Sequence, residues 1–454
     1  MTVRSVSAHD AVSRWVTGIL LIFTLLGLGF GSWLSRLPAV RDHVGATTFE
    51  MSVYGLCLAT GSLVGLMLSG RTVSLLGSRR ALASGVVAQA ITMPLATTLI
   101  WSGAMIPGLA ILFCYGFAFS TSDVAMNVSG ASAERALGKP RLPLMHAGFS
   151  LGSVSAMGLG ALAEMWSISV PVHLTLVFVI IVVVGGFSLR LIPPDSETSG
   201  AGGGAGVGAS ADAVLDAPVM ATTHTGPIPL PGLSTDGDDA AASAGAPHAT
   251  AGSSPQLPRP YSPWRDPRIL LVGLIALSMS LAEGTAADWL PLALADGRGL
   301  PNEVGALVLG IFYVSMTVTR LLGSMILSRL GRVPVLRGGA ILCGIGVLLV
   351  IVLPATWGIV IGAFLWGVGC ALGFPVGISA AADNRETAVR DVAAVSAIAY
   401  TAMLVGPMAF GFLGEHIGLL TAFWALVAIA VLSAFVAGAA REPGGHAPRA
   451  KRLH

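Results

Sequence analysis

Charge is what this sequence has least of. Of its 454 residues only 11% are Asp, Glu, Lys or Arg, while 54% are hydrophobic, and the mean hydropathy is +0.80. A soluble domain carries about 25% charged residues, so this balance belongs in a bilayer rather than in water. The formal net charge of +2 is too small to attract a polyanion, which argues against a nucleic-acid partner. Cysteine is also scarce. Cys57, Cys114, Cys343 and Cys370 all lie in apolar runs, without the spacing of a metal or redox site, and read as small hydrophobes with no disulfide. There is no Gly-x-Ser-x-Gly, no Walker-type loop and no His-Glu-x-x-His. Those absences lead us to expect no catalytic residue, no metal, no cofactor and no enzyme activity. Uphill work would then have to draw on an ion gradient.

What the chain has in abundance is apolar runs of roughly 20 residues, the length a bilayer demands of a helix. Six precede position 192, at 15–37, 50–69, 80–99, 107–129, 144–164 and 170–191; six follow 267, at 269–292, 304–327, 335–353, 357–381, 392–414 and 419–438. The fold class expected is an all-α membrane protein with twelve transmembrane helices in two six-helix halves. Arg4 and Arg14 precede the first run as in a signal peptide, but the run is too long and lacks a small-residue cleavage site, so it reads as a retained span. The divisions are a tail at 1–14, a first half at 15–192, a linker at 193–267, a second half at 268–440 and a tail at 441–454. Gly, Ala, Ser, Thr, Pro and Asp dominate the linker, which has no apolar periodicity and reads as disordered.

The basic residues orient the chain. Arg36, Arg41 and Arg298 fall on one side and Arg320 within a span; the rest of the 25 Lys and Arg residues fall on the other side. By the positive-inside rule, both termini and the linker are expected in the cytoplasm, with the protein multi-pass in the plasma (inner) membrane of a bacterium.

The halves also repeat. Gly70-Arg-Thr-Val-Ser-Leu-Leu-Gly77-Ser-Arg79-Arg80 follows span two, and Ser324-Met-Ile-Leu-Ser-Arg329-Leu-Gly331-Arg332 follows span eight. Span five ends Gly160-Ala-Leu-Ala-Glu164, and span eleven ends Gly411-Phe-Leu-Gly-Glu415. A parallel repeat around a central linker is an architecture of secondary transporters.

On these residues the chain resembles the major facilitator superfamily over all but the linker and tails. Gly70, Gly77, Arg79 and Arg80 fit its cytoplasmic loop motif, whereas Ser74 and Leu75 replace the usual acid and base. More narrowly, it resembles the bacterial YbjJ-type inner-membrane proteins, distant relatives of the fucose-permease branch. That likeness is carried by Ser32-Trp-Leu-Ser-Arg-Leu-Pro38, Asp123-x-x-x-Asn127, His146-Ala-x-Phe-Ser-Leu-Gly152, Glu283-Gly284 with Asp288-Trp289, Met316-Thr-x-x-Arg320, and Gly406-Pro407 with Gly411. The resemblance implies a central cavity walled by spans one, two, four, five, seven, eight, ten and eleven.

Ionisable residues inside spans are costly and tend to be functional. Ser120, Asp123 and Asn127 share one face of span four. By helical rise, Asp123 lies about 9 Å from the cytoplasmic edge, Arg320 about 12 Å and Glu283 about 21 Å. Asp288 falls near the external surface, where an acid is cheap, and is set aside. Candidates for proton coupling are Asp123, Glu283 and His146; Ser120, Asn127 and Glu283 are candidates for the substrate cavity. Asp123 and Arg320 can pair as a gate, and Glu283 can instead pair with Arg320 for structure alone. Gly61-x-x-x-Gly65 and Gly369-x-x-x-Gly373-x-x-x-Gly377 read as close helix contacts. Pro375 and Pro407 read as helix breaks, and Trp33 and Arg36 as membrane-interface anchors.

The function expected is alternating-access transport of a small molecule by a monomer, coupled to protons. Import of a sugar or polar metabolite follows from the distant resemblance. Efflux of a lipophilic or drug-like compound and a transporter-like membrane sensor are the alternatives. A cavity rich in Trp and Phe would favour efflux; one rich in Asn, Ser and acids would favour the sugar.

Overall fold

The computed structural model describes residues 2–138, 141–194, 261–384 and 387–442. Most of the 193–267 linker lies outside them. So do Lys139, Arg259, Arg385, Arg449, Lys451 and Arg452, which carry part of the orientation reading.

Each of the twelve apolar runs forms a helix or a broken helix. The first half comprises Thr2–Ser35, Thr48–Leu76, Ser78–Trp101, Met105–Leu137, Leu142–Met165 and Val170–Arg190. The second comprises Pro267–Arg298, Asn302–Leu321 with Gly323–Leu330, Arg332–Val352, Thr356–Cys370 with Gly373–Ala381, Ala388–Ile417, and Leu419–Ala422 with Trp424–Val436. These are spans one to twelve below. Among the described residues, eleven helical segments are long and apolar enough to cross a membrane, and Leu142–Met165 stands in the place of span five.

The helices begin and end where local chemistry satisfies their free backbone groups. Thr47 caps span two in a reciprocal box: its hydroxyl accepts from Glu50 N at 3.1 Å, and Glu50 Oε2 accepts from Thr47 N at 2.8 Å. Asp266 caps span seven through Arg268 N, with Pro267 at the first helical position. The repeat is visible at one turn in each half. Gly77 and Gly331 join spans two to three and eight to nine at φ 79 and 78, a backbone region that favours glycine. Each returns its N–H to a carbonyl four residues back, Val73 O at 2.9 Å and Leu327 O at 2.8 Å.

Outward-facing Leu, Val, Ile and Phe side chains, such as Leu176, Val183 and Phe187 of span six, are exposed, as lipid-facing surface requires. Inside, small residues let backbones meet. A Cβ on Gly61 would stand 2.0 Å from Phe113 O, and one on Gly65 2.4 Å from Phe117 O, so spans two and four touch along that glycine ladder. In span ten, a Cβ on Gly369 would stand 2.2 Å from Cys343 N, and one on Gly373 2.0 Å from Met279 Cγ.

The halves meet along spans two with eleven and five with eight. Gly411 lies against Ser52, and Gly310 against Met157. At the end of the bundle opposite the termini, polar contacts join the two halves. Arg41 pairs with Asp296, Asn302 donates to Asp42 at 2.9 Å and Glu164 at 3.4 Å, and Glu415 accepts from Phe49 N at 3.2 Å.

Candidate functional site

Between the halves lies a cavity walled from spans one, two, four, seven and eleven. Spans five, eight and ten, which the family resemblance adds, contribute no residue to its lining among the described residues. The wall is mostly aromatic and aliphatic. Phe30 and Phe119 stack at 5.1 Å on the first-half side, Trp33 and Trp289 add indoles, and Leu34, Leu58 and Met403 fill between them. Its acids both come from span seven, as Glu283 and Asp288.

Glu283 is 4% exposed, and its Oε2 receives Arg320 Nη2 at 2.7 Å. Arg320 is itself oriented by a defect in span ten. The carbonyl of Ala371 would normally accept the N–H four residues on, but that residue is Pro375, which has none. The helix breaks between Cys370 and Gly373, and Arg320 Nε donates to the freed Ala371 O at 3.1 Å. The break expected at Pro375 therefore has a partner on span eight. Pro407, by contrast, sits inside an unbroken span eleven.

Asp123 is 4% exposed on span four, and the backbone carbonyl of the same residue accepts Asn127 Nδ2 at 2.9 Å. Span four runs on past position 129 to Leu137, so Asp123 stands farther from its helix end than the sequence estimate allows. Ser120 lines a smaller cavity beside the main one, with Ser62, Tyr400 and Met403, whereas Asn127 lines neither. His146 packs edge-on against Phe23 at 4.9 Å and lies within reach of the Arg320 charge. Arg320 and Glu283 are thus brought together, with His146 near them.

The loop motif has a structural part at each recognisable position. Gly70 is buried, Gly77 makes the turn, Arg79 donates to Leu189 O at 3.1 Å, and Arg80 is exposed. In the second half Arg332 takes up Asp383 at 2.7 Å, which Arg268 also engages at 2.6 Å.

Two placements differ from the sequence reading. Asp288 lines the central cavity instead of the external surface, because span seven continues to Arg298 and carries the residue well inside the bundle. Trp33 and Arg36 are 3% and 2% exposed rather than anchored at a lipid interface; Trp33 faces the cavity, and Arg36 is held by Glu164 at 2.8 Å.

The family model of the Major Facilitator Superfamily matches residues 272–453. Over 425 residues the chain is 30% identical to the "uncharacterized transporter y4wD" of Sinorhizobium fredii, covering 92% of this chain and 96% of that one. The chain belongs to the major facilitator superfamily. An "uncharacterized MFS-type transporter" of Yersinia pestis is 25% identical over 422 residues, with 93% and 94% of the two chains covered. Among solved structures, the nucleoside transporter NupG superposes with a TM-score of 0.67 at 15% identity, covering 94% of this chain and 98% of that one, a likeness of fold alone. Family and relatives are transporters, not enzymes, and so is this multi-pass facilitator.

Thr285 and Trp289 join Asp288 among cavity residues that sequence reading passed over. A signal was present. Thr285, Asp288, Trp289 and Leu292 recur at helical spacing, one face of the same helix, but a threonine or tryptophan in an apolar run is ordinary without knowledge of where that face points.

Proposed function

We propose that this facilitator moves a small solute through the central cavity by alternating access, driven by protons, with its termini in the cytoplasm. The single observation behind this reading is the buried Glu283–Arg320 pair beside a cavity that both halves wall. An ion pair removed from water is sustained only while both charges persist. A proton arriving at Glu283 removes one of them and frees Arg320 to seek another anion, for which Asp123, expected from the sequence as its gating partner, is the candidate. The far-end contacts between halves are those that must break when the cavity opens on that side.

The cavity wall supports a lipophilic or drug-like solute over a sugar. Phe30, Trp33, Phe119 and Trp289 line it with aliphatic side chains, and among the described residues it has none of the amides that commonly bind sugar hydroxyls. The sugar reading rests on the family resemblance.

The test uses purified protein in proteoliposomes under an imposed pH gradient, with solutes first chosen by thermal shift. Glu283→Gln is expected to abolish gradient-driven accumulation while leaving exchange without a gradient. Accumulation equal to wild type would remove Glu283 from the coupling role.

A further inference from the structure

Span seven lays polar residues along the wall of an otherwise apolar cavity. Glu283 is matched by Arg320, but Asp288 on the same wall has no cation and no hydrogen-bond donor among the described residues. This wall therefore presents two carboxyl groups and a single guanidinium among the described residues. Glu283, Thr285 and Trp289 line the same wall, but their Oε1, Oγ1 and Nε1 atoms are closed off from the cavity, so Asp288 is the half-buried polar group open to it. Those three residues are 4%, 3% and 2% exposed. Buried polar groups are ordinarily satisfied, and a carboxylate away from water calls for a counter-charge. Asp288 thus calls for one ligand chemistry.

We infer that span seven is the recognition wall for an amphiphilic organic cation, a protonated amine on an aromatic or aliphatic body. The ammonium donates to the Asp288 carboxylate in a charge-assisted hydrogen bond. Its apolar body lies against the Phe30–Phe119 stack and the indole of Trp33, faces that also attract a cation. An anion would meet uncompensated negative charge, and a neutral solute would leave Asp288 without a partner. The inference rests on the proposed transport reading in taking this cavity as the solute's site.

The experiment compares three probes of one shape on the detergent-purified full chain at neutral pH: naphthylethylamine, neutral naphthylethanol and anionic naphthylpropanoate. The amine is expected to bind at least about tenfold more tightly than the alcohol, with the anion weakest. Asp288→Asn is expected to erase the preference for the amine, and Asp288→Glu to retain it. Equal binding of amine and alcohol to the wild type, or no binding of the amine, overturns the inference. A preference that persists in a well-folded Asp288→Asn protein overturns it too. If Asp288→Asn does not fold, wild-type selectivity and the Asp288→Glu variant still decide. Flux in proteoliposomes separates this inference from the transport reading. Amine bound through Asp288 but never moved would end the transport reading and leave the cation wall standing; movement of the alcohol and not the amine would do the reverse.

Discussion

Glu164 and Glu415 hold matching places at the ends of spans five and eleven, and each reaches into the opposite half at the start of a helix. Glu164 Oε1 meets Asn302 Nδ2, in the first turn of span eight, at 3.4 Å, while Glu415 Oε2 accepts from Phe49 N, in the first turn of span two, at 3.2 Å. Free N–H groups and the helix dipole make a helix start a favourable place for a carboxylate. The repeat thus supplies a two-fold latch, with the Arg41–Asp296 pair as a third tie between halves.

Removing one arm of that latch together with the Arg41–Asp296 tie should favour opening of the far end. With the four native cysteines replaced, Ser62→Cys on the cavity wall reports access to a membrane-impermeant thiol reagent. Adding Glu415→Gln and Asp296→Asn is expected to speed labelling from the far side severalfold. Unchanged labelling would mean that the ties do not hold this state.

Arg320→Ala leaves Glu283 buried without its cation. Breaking a buried pair from one side costs about 3–5 kcal/mol, so thermal unfolding should show a large drop in Tm and transport should be lost. Arg320→Lys is expected to rescue little, because a lysine has one charged nitrogen with which to serve both Glu283 and the Ala371 carbonyl. Wild-type behaviour of the lysine variant would show that the Ala371 bond is dispensable.

Pro375→Ala restores an N–H opposite Ala371 O and sets the helix in competition with Arg320 for that carbonyl. Stability should hold or rise while the transport rate falls. An unaltered rate with a continuous span ten, seen in a structure of the variant, would defeat this account.

The glycines can be ranked. Gly61→Ala would force a Cβ to 2.0 Å from Phe113 O and separate spans two and four, a clash with backbone that cannot be relieved by a side-chain rotation. Gly377→Ala meets Ala276 Cβ at 3.4 Å, an ordinary contact. Detergent thermal stability should fall by many degrees for the first and hardly change for the second.

Where the chain re-enters the described structure, Tyr261 Oη donates to Asp391 Oδ1 at 2.7 Å and Thr387 Oγ1 donates to Oδ2 at 2.6 Å, fastening the approach to span seven onto span eleven. Partial burial and the neighbouring Asp391 and Asp266 carboxylates push the Tyr261 hydroxyl up to about 12. A raised acid pKa favours the protonated, donating form. Its contribution is complete below the unfolded pKa near 10 and is lost as pH rises toward about 12. Tyr261→Phe should speed tryptic cleavage at Arg265 at neutral pH, and the wild type should approach that rate only in strong alkali. A wild-type rate already equal to the variant's at neutral pH would show that the phenol fastens nothing.

Much of this protein was legible from its residues. The hydrocarbon thickness of a bilayer converts apolar run length directly into helices, so the twelve spans and their halves follow from composition along the chain. Repeated local strings placed Gly77 opposite Gly331 and Glu164 opposite Glu415. Small-residue spacing marked Gly61 and Gly369 as contact points, and Pro375 as a break. Which carboxylate faces what was not legible. Inside a continuous apolar run the hydropathy is nearly uniform around the helix, so no periodicity tells the cavity face from the packed one.

That orientation belongs to tertiary structure. Asp288 became a cavity wall, Trp33 and Arg36 moved from an assumed lipid interface to the interior, and Arg320 met both Glu283 and the carbonyl freed on span ten. Local sequence decides that a segment is a helix because its backbone must satisfy itself in lipid. Its rotation and its partners depend on close packing against residues tens or hundreds of positions away. Sequence by itself therefore determined the spans, their repeat and the class of protein. Only packing between helices decided which buried charges are matched and which one is left for a ligand.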